Sequence, residues 1–351
     1  IAGMDGIQAQ TRLIVSGGDI AIITGGSVNS SSSDTWGMGR NPNDTSSSSD
    51  DSAKGLKAGV DITIDGGTIN IDSSDDSIHS NDSITINGGD ILLASGDDGV
   101  HSDSTLEING GNLNITKSYE GIESAVLTIN DGNIHIVARD DGINGAGGAD
   151  GSSTNGRPGQ NNFILSGDYH LYVNGAYIVI DATGDGIDVN GSIDMTGGVV
   201  IINGPTSNMN SPLDYLGAFN ITGGFLIAAG SAGMAQAPST SSSQYSVMLV
   251  FQSPQAANTM IHIEAENGEG TLTFVPTKEY QSVVLSSPEL ENGSTYTVYS
   301  GGSSTGIATD GLYSDGTYTA GTQVTSFTIS GIVTGAGAFG GGFQGGRPHR
   351  H

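Results

Sequence analysis

The feature that most constrains this chain is a motif that returns at a nearly constant step. Asp76-Ser77-Ile78-His79-Ser80 is followed by Asp98-Gly99-Val100-His101-Ser102, Glu120-Gly121-Ile122-Glu123-Ser124 and Asp141-Gly142-Ile143-Asn144, the last step being slightly shorter than the two before it. Lys54-Gly55-Leu56-Lys57 stands one full step before Asp76, and the register returns at Asp185-Gly186-Ile187-Asp188 and, near the start, at Asp5-Gly6-Ile7-Gln8. Between these copies lie two further elements. One is an alternating run ending in a Gly corner, as in Ile62-Thr63-Ile64-Asp65-Gly66-Gly67 and Ile84-Thr85-Ile86-Asn87-Gly88-Gly89; the other is an apolar pair such as Ile69/Ile71, Ile91/Leu93, Leu113/Ile115 and Ile134/Ile136.

Alternation at period 2 buries one face of each short strand. A single repeat cannot cover that face, whereas repeats stacked on one another make a continuous core. The expected fold is therefore all-β, a parallel β-helix of about eight coils of about 22 residues. With stacked strands about 4.8 Å apart, the rod would be on the order of 40 Å long. Composition fits this reading. Hydrophobic residues make up only 35% of the 351, because a thin coil needs apolar residues on its inner side alone, and the 57 glycines serve the corners.

The β-helix is expected over 1–237, with surface insertions at about 29–52 and 145–168. A Ser-rich joint then leads to short alternating strands over 244–333, expected as a small C-terminal antiparallel β domain or cap, and a Gly-rich tail, 334–351, is expected to be disordered. Because the first residues already match a coil, the rod is expected to begin upstream of Ile1.

Charge narrows the function classes. Ten Lys plus Arg against 37 Asp plus Glu leave a net −27, which argues against nucleic acid and anionic lipid as partners. No run approaches the ~20 apolar residues of a membrane span, so no membrane insertion is expected. The absence of cysteine removes disulfides, thiolate metal sites and a Cys nucleophile. Together with abundant Ser, Thr, Asn, Asp and Gly, it suits an extracellular or cell-surface bacterial protein.

Between residues 50 and 145 stand 18 acids against Lys54, Lys57, Lys117 and Arg139. Stacking aligns Asp75/Asp76, Asp97/Asp98, Tyr119/Glu120 and Asp140/Asp141 into ladders continued by Asp185, with Glu123, Asn144 and Asp188 in one outer register and Asp82 and Asp103 in another. Like charges about 5 Å apart raise one another's pKa unless a cation neutralises them. Calcium, which takes six to eight oxygen ligands, suits such corners. The expected metal ligands are Asp75, Asp76, Asp82, Asp97, Asp98, Asp103, Glu120, Glu123, Asp140 and Asp141. The competing explanation is turn chemistry, since Asp and Asn bond nearby backbone in tight turns. His79 and His101 share one register and read as an outward polar ladder rather than a transition-metal site. Trp36, Tyr119 and Tyr172 are candidate sugar-stacking residues, with loop packing as the alternative.

The corners DSSDDSIHSND and SGDDGVHSD, the YEGIES step, the run Asp50 to Ala58, Ile201-Ile202-Asn203-Gly204-Pro205, Leu213-Asp214-Tyr215, and the late TLTFVPTKEYQSVVLSSP and YTVYSGG segments together resemble a clostridial family of secreted carbohydrate-binding proteins. The resemblance implies a right-handed, pectate-lyase-like parallel β-helix with calcium at the acidic corners. It further implies binding to cellulose and polygalacturonate-like polysaccharide, without established lyase activity. Two other functions remain open: a structural adhesin or self-associating surface fibre, and a polysaccharide lyase using Lys54, Lys57, Lys117 or Arg139 as base.

Overall fold

The computed structural model describes residues 2–25, 52–146, 168–266 and 272–337. Trp36, nearly all of both insertions and everything beyond 337 lie outside these residues. The described chain is all-β: it holds 31 strands and no helix, hence none long and apolar enough to cross a membrane.

Two large sheets dominate. A fourteen-stranded sheet takes two short strands from most repeats, fused into one in Val100–Ile108 and Ile122–Ile129, and an eleven-stranded sheet takes one. Each strand pairs in parallel with its equivalent one repeat on, so the apolar residues stack like on like. Leu56, Ile78, Val100, Ile122, Ile143, Ile187 and Leu213 form one such column. None of the seven is more than 2% exposed. Ile69, Ile91, Leu113, Ile134, Ile178, Val200 and Leu226 form another in the eleven-stranded sheet. Both columns belong to one continuous core.

The shortened step between Glu120 and Asp141 arises at a single corner. Ser102 faces Ser124, but Thr105 faces Val126 instead of Leu127, so the later strand turns this corner with one residue fewer. The Gly of the Asp-Gly-Ile motif is demanded by packing. A Cβ at Gly121 would collide with both the Gly142 carbonyl oxygen and Ile136 Cγ2.

The strands after 244 divide between two sheets. Tyr280–Ser286 pairs antiparallel with Phe225–Gly230 and with Ser246–Gln255, and so extends the eleven-stranded sheet. Val333–Gly337, inside the stretch expected to be a tail, is the last strand of that sheet. Ile261–Ala265, Leu272–Phe274, Thr295–Ser304, Ile307–Thr309, Leu312–Ser314 and Tyr318–Thr328 form a six-stranded antiparallel sheet. A second core lies between it and the outer side of the eleven-stranded sheet, where Ile201 and Ile227 meet Ile261, Ile263 and Phe274.

Candidate functional site

The acidic corners resolve into two columns. In the inner column Lys54, Asp76, Asp98, Glu120, Asp141 and Asp185 stack, each carbonyl receiving a backbone N–H from the residue after its predecessor, as in Gly55 N–H to Asp76 and Gly121 N–H to Asp141. Their side chains also reach along the stack. An Asp76 carboxylate oxygen accepts the Asp98 N–H (3.1 Å), Asp98 that of Glu120 (3.2 Å), and Asp141 that of Asp185 (2.6 Å). Turn chemistry is thus present, and it occupies one oxygen of each of these three side chains. The outer column reads Gln8, Lys57, His79, His101, Glu123, Asn144, Asp188, Asp214.

Neutralisation changes along these columns. At the first end Lys54, buried, contacts Asp75 Oδ1 at 3.0 Å and pairs closely with Asp76. Burial opposes the ammonium charge, but Asp76 and Asp75 outweigh it and raise the Lys54 pKa. Burial likewise works against the Asp76 carboxylate, yet Lys54 and His79 hold it well below the usual range. A lysine held this firmly in its charged form is poorly suited to take a proton from a substrate.

In the middle, His101 takes the place of the lysine. His101 Nδ1 lies 3.1 Å from Asp98 and 3.3 Å from Glu123, and its Nε2 lies 3.3 Å from Asp103. Burial disfavours its charge, but these three carboxylates raise its pKa well above the ordinary value. His79 sits against Asp76 at 2.8 Å, its ring 5.0 Å from that of His101. The two histidines do stack as a polar ladder facing away from the core, but the residues are only 5% and 1% exposed, enclosed by Asp76 and Asp98 of their own repeats and by Glu123 of the next.

At the far end carboxylates face carboxylates. Ligand oxygens of Asp141, Asp185 and Asp188 all lie within 4.8 Å of one another. Burial, then Asp214 and Asp140, push Asp185 up to about 7 against a pull from the Ser211 N–H. Burial, then Asp185, Asp214 and Asp140, push Asp188 up to about 8. Asp141 is raised by burial first and by Asp188, Asp185 and Asp140 after it. Beside this group Asn144 donates to Glu120 (2.7 Å), while its own Oδ1, buried, accepts no hydrogen bond. Register sets Asn144 between Glu123 and Asp188.

The ten expected ligands thus meet different fates. Asp75, Asp76 and Asp97 bring oxygens together, but beside the Lys54 ammonium. Asp98 and Glu123 gather around His101, with Asp103 on its other nitrogen. Glu120 is raised by burial and by Glu123, Asp98 and Asp141. Asp141 joins the carboxylate group, with Asp140 acting on it from nearby. Asp82 is exposed and belongs to none of the four groups that bring oxygens or imidazole nitrogens together among the described residues. Sequence reasoning left Asp185, Asp188 and Asp214 out of the ligand set, although the Asp-Gly-Ile-Asp register marks the first two.

Of the aromatics, Tyr172 is 37% exposed on the fourteen-stranded sheet and stacks on His170 at 4.0 Å and 13°. His170 is in turn held by Asp194 at 2.8 Å. Tyr119 is half-buried, with the Arg139 guanidinium 5.2 Å from its ring centre.

Comparison with known proteins adds one finding. A family model described as "Carbohydrate-binding domain-containing protein" matches residues 1–99, which supports carbohydrate binding. No curated protein and no solved structure matches the chain.

Proposed function

We propose that this chain is a right-handed parallel β-helix, at the cell surface or secreted, that binds acidic polysaccharide through calcium and has no catalytic role. The observation that carries the reading is the convergence of Asp141, Asp185 and Asp188 with only carboxylates as their charged influences. Such a group needs a cation to ionise fully at neutral pH. Its donors are all hard oxygens, which favours calcium over softer metals. The unpartnered Asn144 Oδ1 is a further oxygen of the kind calcium takes. Asp185 and Asp188 are half-buried rather than sealed, so the ion keeps a side open to a ligand.

A protein of net charge −27 repels a polyuronate. A calcium ion shared between protein and uronate carboxylates removes that conflict. Tyr172, on the outer side of the same sheet, offers a ring face for the apolar side of a sugar. In-register stacking of like strands supports the β-helix, and the family-model match supports a carbohydrate ligand.

The test is retention on immobilised polygalacturonate with calcium and with a chelator, beside a metal assay of the purified protein. Calcium-loaded protein should be retained and chelated protein released. Unchanged affinity after chelation overturns the bridging mechanism.

A further inference from the structure

Beyond this calcium-dependent reading, we propose that the outward face of the six-stranded sheet, centred on Tyr318, is a second glycan site that takes a neutral pyranose by its apolar face without a cation. The inner residues of this sheet, Ile261, Ile263, Phe274 and Val298, pack into the second core. On the opposite side a row runs across the strands in register: Tyr313, Thr273, His262, Tyr299, Gln323.

His262 is the foundation of the site. It is 3% exposed, its Nδ1 lies 2.7 Å from Thr273 Oγ1, and its Nε2 lies 3.3 Å from Glu264. Burial lowers its pKa despite Glu264, so the ring is neutral at pH 7. In that state the Thr273 hydroxyl donates to Nδ1 and the Nε2 proton goes to Glu264.

Tyr318 lies flat on this ring, with centroids 3.7 Å apart and planes 18° apart. Its hydroxyl donates to the Gly301 carbonyl (2.7 Å) and accepts the Gly321 N–H (2.9 Å). Gly301 and Gly302 turn the chain at φ of 76° and 89°, and a Cβ on Gly302 would meet Tyr318 Oη at 2.7 Å. The backbone is thus shaped to fix a tyrosine with one face on a buried histidine and the other half-exposed. Tyr299 stands alongside, centroid 6.0 Å away.

A tyrosine serving only to cover His262 would not need its hydroxyl pinned at both donor and acceptor. A rigid ring face, with Tyr299 alongside and the Glu264 carboxylate at the His262 ring beneath it, suits CH–π contact with a sugar and hydrogen bonds to its hydroxyls. The charge of Glu264 disfavours a uronate here and leaves a neutral residue as the ligand.

The experiment titrates the full chain, in chelator, with soluble neutral gluco-oligosaccharides, following affinity and the near-ultraviolet tyrosine difference spectrum. Wild type should bind, Tyr318→Ala about tenfold more weakly and Tyr299→Ala a few-fold more weakly, while Tyr318→Phe keeps most of the affinity. Thermal unfolding of each variant checks the fold, and Tyr299→Ala keeps the test decisive if Tyr318→Ala is unfolded. Absence of binding in chelator, or equal affinity in wild type and both alanine variants, overturns the proposal. Calcium-dependent retention on polygalacturonate, measured on the same variants, should be untouched by Tyr318→Ala and lost in Asp185→Asn, so the two sites fail separately.

Discussion

The two ends of the acidic columns have the same backbone and opposite electrostatics. Around Asp76 the charge is closed internally by Lys54 and His79, and the carboxylate is held ionised. Around Asp185 and Asp188 the neighbours are carboxylates, and the acids are held protonated into the neutral range. An acidic corner is thus a structural ion pair or an uncompensated charge depending on what its neighbours one repeat away supply. The same substitution should therefore have opposite effects at the two ends.

The largest effect is expected from Lys54→Met. It strands Asp76 as a buried charge without its main partner, and breaking such a pair costs about 3–5 kcal/mol. Urea unfolding should show that loss with and without calcium alike. A loss restored by calcium would erase the distinction between the ends.

Next in size is the pH dependence of the calcium-free protein. A carboxyl whose folded pKa exceeds its unfolded value keeps its proton longer in the folded state, so raising the pH favours unfolding between the two values. With Asp185 at about 7 and Asp188 at about 8, from ordinary values of 3.8, stability should fall as the pH rises from about 4 through the neutral range. Saturating calcium should flatten the curve across the neutral range. Chemical unfolding at a series of pH values, with chelator and with calcium, reads both.

The smallest effect sharpens the contrast most. Asp185→Asn keeps an oxygen for the Ser211 N–H and removes one repelling charge, so the calcium-free protein at pH 8 should gain about 1 kcal/mol while losing its calcium-induced rise in Tm. Asp76→Asn, the equivalent change at the other end, should destabilise with or without calcium. Equal signs for the two would mean that both ends are compensated alike.

Much of the fold was legible because it rests on side-chain period. The inward columns headed by Leu56 and Ile69 follow directly from the repeat, and the stacking of Asp76 on Asp98 follows from the step. Burial of His79 and His101 was not legible. Alternation says only that they point away from the core, not that Asp76 and Asp98 of their own repeats and Glu123 of the next close over them. Asp214 escaped because the segment between it and Asp188 is longer than the ordinary step, and only the strand register restores the match. The late strands showed their period but not their partners. Nothing local to Tyr280–Ser286 distinguishes a strand that extends the long sheet from one that joins Ile261–Ala265 in a separate layer.

The outer column has a consequence of a different kind. From Lys57 through His79, His101, Glu123 and Asn144 to Asp188 and Asp214, one backbone position carries five residue types while the apolar residue just before it remains Leu, Ile or Val. Core and outer column are written in separate alphabets, one repeat per letter. The electrostatic profile along such a scaffold can be redrafted letter by letter, basic to acidic, with no edit to the text that folds it.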